Sequence, residues 1–156
     1  MKYIAAFLLF SLIGCKPKMP PDFSIVGDFD VDTYNSQTGI FTRYYVMKPL
    51  AVVKMELTAD EKQELFDYCE KIDFFSFPSE FQCDTLHPGG IIPSSSIEIQ
   101  IRANGIIKGS RTSTYCDTKL QMEKEKKLYL LYDKLWNMIE KKAAYKSIPP
   151  ADVIRL

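Results

Sequence analysis

The sequence predicts an α+β domain: an antiparallel sheet of about five strands with two helices on one face, in the order β-β-β-α-β-β-α. Three observations lead there. Short segments of alternating apolar and polar residues occur before residue 58 and around Asn104-Gly105. Two segments with helical spacing of apolar residues each follow a capping pattern. Nearly all the strand links are short enough for antiparallel hairpins, and the helices are expected to stack on one face of the sheet.

The elements follow in order. "DFDVD", residues 28–32, alternates strictly and predicts a half-buried strand, with Phe29 and Val31 on one face and Asp28, Asp30 and Asp32 on the other. "NSQTG" predicts a turn. Residues 40–47, rich in Phe, Tyr and Val, predict a second strand that Pro49 ends. Residues 50–57 predict a third, with Ala51, Val53, Met55 and Leu57 inward and Lys54 and Glu56 outward. Thr58 and Glu61 have the spacing of a capping box, and a helix is expected to about Ile72 with Leu65, Phe66, Cys69 and Ile72 on its apolar stripe. Phe74, Phe75 and Phe77 follow and are expected to fill the gap between helix and sheet.

Residues 82–95, with Pro88-Gly89-Gly90 and Pro93, read as a long loop. Residues 96–102 predict a strand with Ile97, Ile99 and Ile101 inward, and Asn104-Gly105 is a strong hairpin signal because both residues tolerate positive φ. The return strand covers residues 106–112. Thr118 and Gln121 repeat the capping-box spacing. The helix behind them is expected to end near Lys142, with Leu128, Leu131, Leu135, Met138 and Ile139 as its stripe.

The N-terminus carries an address. Lys2 is followed by an uncharged, mostly apolar run over residues 3–13, too short for the roughly 20 residues that span a hydrocarbon core. The run stops at Leu12-Ile13-Gly14-Cys15, which resembles the lipobox of bacterial lipoproteins. The resemblance implies cleavage before Cys15 and fatty acyl chains on that residue, in keeping with the need for more than one chain for stable anchoring. Lys16, rather than an Asp, follows the cysteine, so the resemblance implies the outer membrane with the domain facing the periplasm. An ordinary cleaved signal that happens to precede a cysteine is the alternative. The chain then divides into a signal peptide at 1–14, lipidated Cys and tether at 15–22, one domain at 23–146 and a tail at 147–156. The element order, "DFFSFP" and the hairpin "SIEIQIRANGIIKG" also resemble small bacterial envelope lipoproteins, a resemblance that carries over no catalytic residue.

Composition is that of a globular chain, 46% apolar and 26% charged, with a formal net charge of 0 that becomes about −1 without Lys2. No global field favours nucleic acid, and none is expected as a partner. Charge is nonetheless uneven: residues 22–73 hold eleven Asp/Glu against five Lys/Arg, and residues 119–146 hold eight Lys against four Asp/Glu.

Candidate sites are few. Asp28, Asp30 and Asp32 have D-x-D-x-D spacing, but an EF-hand loop would need Gly and Glu where Thr33 and Gly39 stand. Cys83, His87 and Cys116 could hold zinc with an Asp. A Cys83–Cys116 disulfide accounts for the same cysteines more simply, since the hairpin returns Cys116 toward residues 91–93. Cys69 is then left as a buried thiol. No G-x-S-x-G elbow, Gly-rich phosphate loop or paired nucleophile and base is present, and His87 is the sole histidine. The expectation is a non-catalytic binding or structural module of the envelope, without cofactor, whose partner is the membrane through its anchor and an envelope protein or glycan. Tyr34, Tyr44 and Tyr45, with the three aspartates, are the candidate recognition residues. A small envelope hydrolase using carboxylates is the alternative.

Overall fold

The computed structural model describes residues 17–81, 96–112 and 121–152. Six antiparallel strands form one sheet: β1 (Ser24–Phe29), β2 (Asp32–Asn35), β3 (Ile40–Arg43), β4 (Ala51–Lys54), β5 (Ile97–Ala103) and β6 (Ile106–Arg111). Their spatial order is β4-β3-β2-β1-β5-β6. The helices are α1 (Ala59–Ile72), α2 (Met122–Glu140) and the single turn α3 (Ala143–Lys146), with a 3-10 turn over Phe74–Ser76. The predicted α+β class holds, with one strand and one short helix more than expected.

The extra strand comes from the segment read as one strand over residues 28–32. Asp30 has φ of 62°, and the chain turns there, so Phe29 pairs with Asp32 across a two-residue loop. The strand beginning at residue 40 stops at Arg43, short of residue 47. The other turns follow their signals. Asn35 Oδ1 accepts from the amides of Gln37 and Thr38, and Gly39 closes the turn at positive φ. Asn104 and Gly105 both have positive φ, as a two-residue hairpin requires.

Alternation sorts the sheet into a covered and an open face. Ile25, Phe29, Tyr34, Phe41, Ile97, Ile99 and Ile101 are buried on the inner face, whereas Asp28, Glu98, Gln100 and Arg102 face outward. The predicted stripes meet this face: Leu65, Phe66, Cys69 and Ile72 of α1, and Leu128, Leu131, Leu135, Met138 and Ile139 of α2, are all buried. Phe74 and Phe77 fill the junction as expected, joined by Phe81, while Phe75 is half-buried. Gly27 lies under the Phe29 ring, where a Cβ would come within 2.3 Å of it. Burial pushes the Cys69 thiol up to about 12, so it stays protonated and behaves as a small hydrophobe.

Thr58 and Glu61 form the predicted capping box at α1: Glu61 N–H donates to Thr58 Oγ1 (3.2 Å) and Thr58 N–H to Glu61 Oε2 (2.7 Å). The second predicted box is corrected. Gln121 occupies the N-cap position of α2 rather than its third residue, and its side chain makes no capping bond. Thr118 lies outside the described residues.

The two ends of the sheet are covered by different helices. Phe23, just before β1, packs edge-on against Phe66 of α1, and Phe29 at the end of β1 packs against Tyr132 and Trp136 of α2. Thus α1 covers the end where β1 begins and the β5–β6 hairpin turns, and α2 covers the opposite end, where β3 leads into residues 44–50. Residues 17–22 and 148–152 also join the fold more closely than the sequence suggested. Residues 17–22 lie against α1, and the tail is held to the domain through Ile148, Pro149 and Asp152.

Candidate functional site

The end of the sheet beyond β3 is organised around a buried ion pair. Arg43 Nε and Nη2 donate to Asp32 Oδ1 and Oδ2, each at 2.8 Å, and both side chains are almost fully buried. Nη1 donates to Pro149 O (3.1 Å) and Nη2 also donates to the Tyr145 hydroxyl (2.9 Å). The guanidinium stacks over the Tyr145 ring at 5.0 Å. A planar fork with five donors suits this bidentate and stacked arrangement. The Asp32 hydrogen bonds raise the Arg43 pKa further above its ordinary value, against the opposing effect of burial.

The same latch fixes the β3–β4 connection. Asp152 accepts the amides of Val46 (2.8 Å) and Met47 (3.0 Å), and the Tyr45 hydroxyl donates to Pro149 O (2.7 Å). The Val46 amide, with that of Met47, holds the Asp152 carboxyl below its ordinary range despite some desolvation. With its backbone held from behind, the connection turns its apolar side chains outward: Tyr44 is 50% exposed, Val46 70%, Met47 84% and Leu50 51%, and Val52 on the adjoining edge strand β4 is 54% exposed. Among the described residues, no buried side-chain nitrogen or oxygen lacks a hydrogen-bond partner, and the latch follows this rule.

A second candidate lies on the open face. The register places Val52, Thr42, Thr33, Asp28, Glu98 and Arg111 in one row across all six strands. Asp28 and Glu98 are directly opposite one another. Desolvation, then Glu98 and Asp30, raise the Asp28 pKa above its ordinary value. Beside this pair, Ser79, Glu80, Glu98, Gly109 and Arg111 line an open cleft of about 330 Å³. Its cation is engaged, with Arg111 Nη2 donating to Glu80 at 2.8 Å.

The residues nominated from the sequence therefore separate. Tyr34 and Asp32 are corrected as recognition residues: each is 1% exposed, because the turn at Asp30 directs both into the core. Tyr34 donates to Met55 O at 3.2 Å, and burial pushes its phenol up to about 12. Asp28, Asp30 and Asp32 do not share a face, since they occupy the outer row, the turn and the inner face. Tyr44 is outward; Tyr45 is half-buried against the tail, with Lys48 Nζ 5.7 Å from its ring centroid. Cys15, Cys83, His87 and Cys116 lie outside the described residues. Among the described residues, no group of three or more His, Cys, Asp or Glu could hold a metal ion, and no helix is long and apolar enough to cross a membrane.

Sequence reasoning missed Arg43, Tyr145 and Asp152. A signal existed for the first: Arg43 stands two residues after Phe41, on the apolar side of an alternating segment, where a charge requires a buried partner. The chain matches no protein-family model and no curated protein.

Proposed function

We propose that the protein is a lipid-anchored module of the bacterial cell envelope, held at the outer membrane through Cys15 and facing the periplasm, that binds an envelope protein and carries out no chemistry. The observation that carries this reading is the exposed apolar run of Tyr44, Val46, Met47, Leu50 and Val52, on a connection whose backbone is held by Asp152. Apolar residues scattered singly are ordinary, but a run of them on one loop and the adjoining edge strand is a recognised feature of interaction surfaces. The hold of Asp152 on two of the connection's amides favours binding, because less conformational freedom is lost on association. Strand β4 also ends the sheet, so an extended partner segment could add to it through main-chain hydrogen bonds. The apolar run lies at the end of the sheet opposite the one where residues 17–22 are held.

The test is chemical cross-linking in intact envelopes with the wild-type chain and with Val46→Asp/Met47→Asp. A discrete adduct that the double variant loses, at unchanged abundance and thermal stability, supports the reading. An adduct pattern indifferent to the variant removes it.

One observation favours the hydrolase alternative: the facing Asp28 and Glu98, one with a raised pKa, beside the cleft at Glu80 and Arg111. A carboxyl with a raised pKa facing a second carboxyl is one arrangement that acid–base chemistry uses. Asp28→Asn should abolish any hydrolysis of envelope glycans by the purified protein if this pair is catalytic.

A further inference from the structure

The apolar run accounts for one end of the sheet; the other end has its own features. Residues 17–22 were expected to be a free tether, yet they are fastened. Gln63 Nε2 donates to Pro17 O and Gln63 Oε1 accepts from Met19 N–H, both at 3.3 Å. Pro20 is buried, and its carbonyl accepts from Phe23 N–H at 3.1 Å. Asp22 then grips the β5–β6 hairpin, its carboxylate accepting Asn104 N–H at 2.9 Å and Gly105 N–H at 2.7 Å. The Gly105 amide, with that of Asn104, holds the Asp22 carboxyl below its ordinary range against slight desolvation.

This fastening limits how far the domain can stand from an anchor at Cys15. At ~3.5 Å per extended residue, Cys15 lies within ~7 Å of Pro17 and ~25 Å of Asp22, whatever path the chain takes. A flexible linker would let the domain roam; this one ties the hairpin end to the anchor.

That end is also chemically suited to a bilayer surface. Ile106 and Ile107 begin β6 immediately after the turn, on opposite faces of the hairpin tip, and are 59% and 51% exposed. Arg102, exposed on β5, is paired with Ile107, Lys108 follows on β6, and the fastened segment carries exposed Lys18. Of the carboxylates beside the fastened segment, Asp22 is occupied by the hairpin amides and Asp67 accepts from Gln63 Nε2 at 2.7 Å. Lys54 and Glu56, at the end of β4, pair with each other at 3.0 Å. Glu98 and Glu80 belong to the opposite end of the β5–β6 pair. Exposed aliphatics at a hairpin tip, with long basic side chains on the same strands and on the fastened segment, match the interface of a membrane with acidic headgroups, where the cations reach the phosphates and the aliphatics reach the acyl boundary.

We propose that the hairpin end of the sheet, through Ile106 and Ile107 with Arg102, Lys108 and Lys18, rests on the surface of the bilayer that holds the Cys15 lipid and so directs residues 44–50 away from it. This rests on the lipid-anchor reading above. The contact makes the anchor orienting as well as retaining.

The experiment uses full-length protein extracted from membranes, with intact mass first recording the acyl groups on Cys15. It is reconstituted into vesicles of phosphatidylethanolamine and phosphatidylglycerol, with a benzophenone amino acid at position 107 or, separately, at position 46. The expected result is lipid adducts from position 107 and few or none from position 46. Arg102→Glu/Lys108→Glu should cut the yield at 107 severalfold, and raising the salt should do the same. Acylated protein that gives no lipid adduct at 107, equal yields at both positions, or a protein adduct at 107 overturns the proposal while leaving the anchor intact. An unmodified Cys15 overturns the anchor reading and this inference with it.

Discussion

Asp28 and Asp32 stand four residues apart in one alternating motif, yet they belong to opposite regimes. Asp28 faces solvent on the open face of the sheet, across from Glu98, and its pKa is raised. Asp32 is buried on the inner face and forked to Arg43, which reaches on to Tyr145 and Pro149. The open face tolerates a like-charge pair because water screens it. The inner face tolerates a charge only with a full set of partners, and those partners tie two strands to the C-terminal segment. The same residue type thus costs a little stability in one region and specifies the geometry of a surface in the other.

The sharpest way to break this comparison is to remove the cation on the inner face. Arg43→Met leaves Asp32 buried without a counter-charge and should cost about 3–5 kcal/mol in denaturant melts. The double variant Asp32→Leu/Arg43→Met should be more stable than Arg43→Met alone, because no orphaned charge remains. A cost below about 1 kcal/mol for Arg43→Met would mean that the pair is effectively solvated.

Next in size comes the apolar packing on which the latch is built. Ile99→Ala or Leu135→Ala, both at fully buried positions, should cost about 2–5 kcal/mol each by the same measurement. Values below about 0.5 kcal/mol for both would show that the faces of β5 and α2 contribute little to the core.

A smaller effect is expected at the α1 cap, which is half exposed and lies between the two regimes. Thr58→Ala should cost about 1 kcal/mol. Burial raises the Glu61 pKa, but bonds from Lys142 and Thr58 outweigh it, so the net shift is downward from 4.5. The folded state then binds fewer protons than the unfolded one in that window. Glu61 therefore contributes stability above its unfolded pKa of 4.5 that is lost as pH falls through the lower folded value. Glu61→Gln should flatten the acid limb of the stability–pH curve, and an unchanged limb would contradict the assignment.

The smallest effect tests the open face. The folded pKa of Asp28 is raised, so its stability contribution declines as pH climbs from 3.8 through the folded value and stays reduced at neutral pH. Asp28→Asn should therefore stabilise the domain at neutral pH by about a few tenths of a kcal/mol, because it relieves the desolvation of the carboxylate and then its like-charge contact with Glu98. A destabilised variant would point to a favourable role for the carboxylate, such as one at the neighbouring cleft.

Particular residues show how far the sequence was legible. Ile97, Ile99 and Ile101 announced a strand face, and Leu128, Leu131 and Leu135 a helix stripe, because each period recurs several times within one element. Thr58 with Glu61 and Asn104 with Gly105 were legible because each motif supplies its own hydrogen bonds or φ values. "DFDVD" misled because a two-residue turn can hide inside a perfect alternation, and Asp is one of the few residues that accept φ near +60° without Gly. Once the chain turns at Asp30, Phe29 and Asp32 are paired residues on the same face, and the parity of everything after the turn is reset.

The sequence by itself determined the fold class, the inward faces of β5, α1 and α2, the first helix cap and the tight turn of the last hairpin. All of these follow from periodicities and bonds that act within a few residues. Tertiary structure alone decided that Asp32 and Tyr34 are interior, that Arg43 holds the C-terminal segment, that Asp152 sets the exposed connection, and that Asp22 ties the tether to the hairpin. Those pairs lie 11, 106, 106 and 82 residues apart in the chain where hydrogen bonds record them. No local pattern carries such partners, because a carboxylate is equally at home in water or opposite a donor, and only the folded arrangement of strands brings the donor within reach.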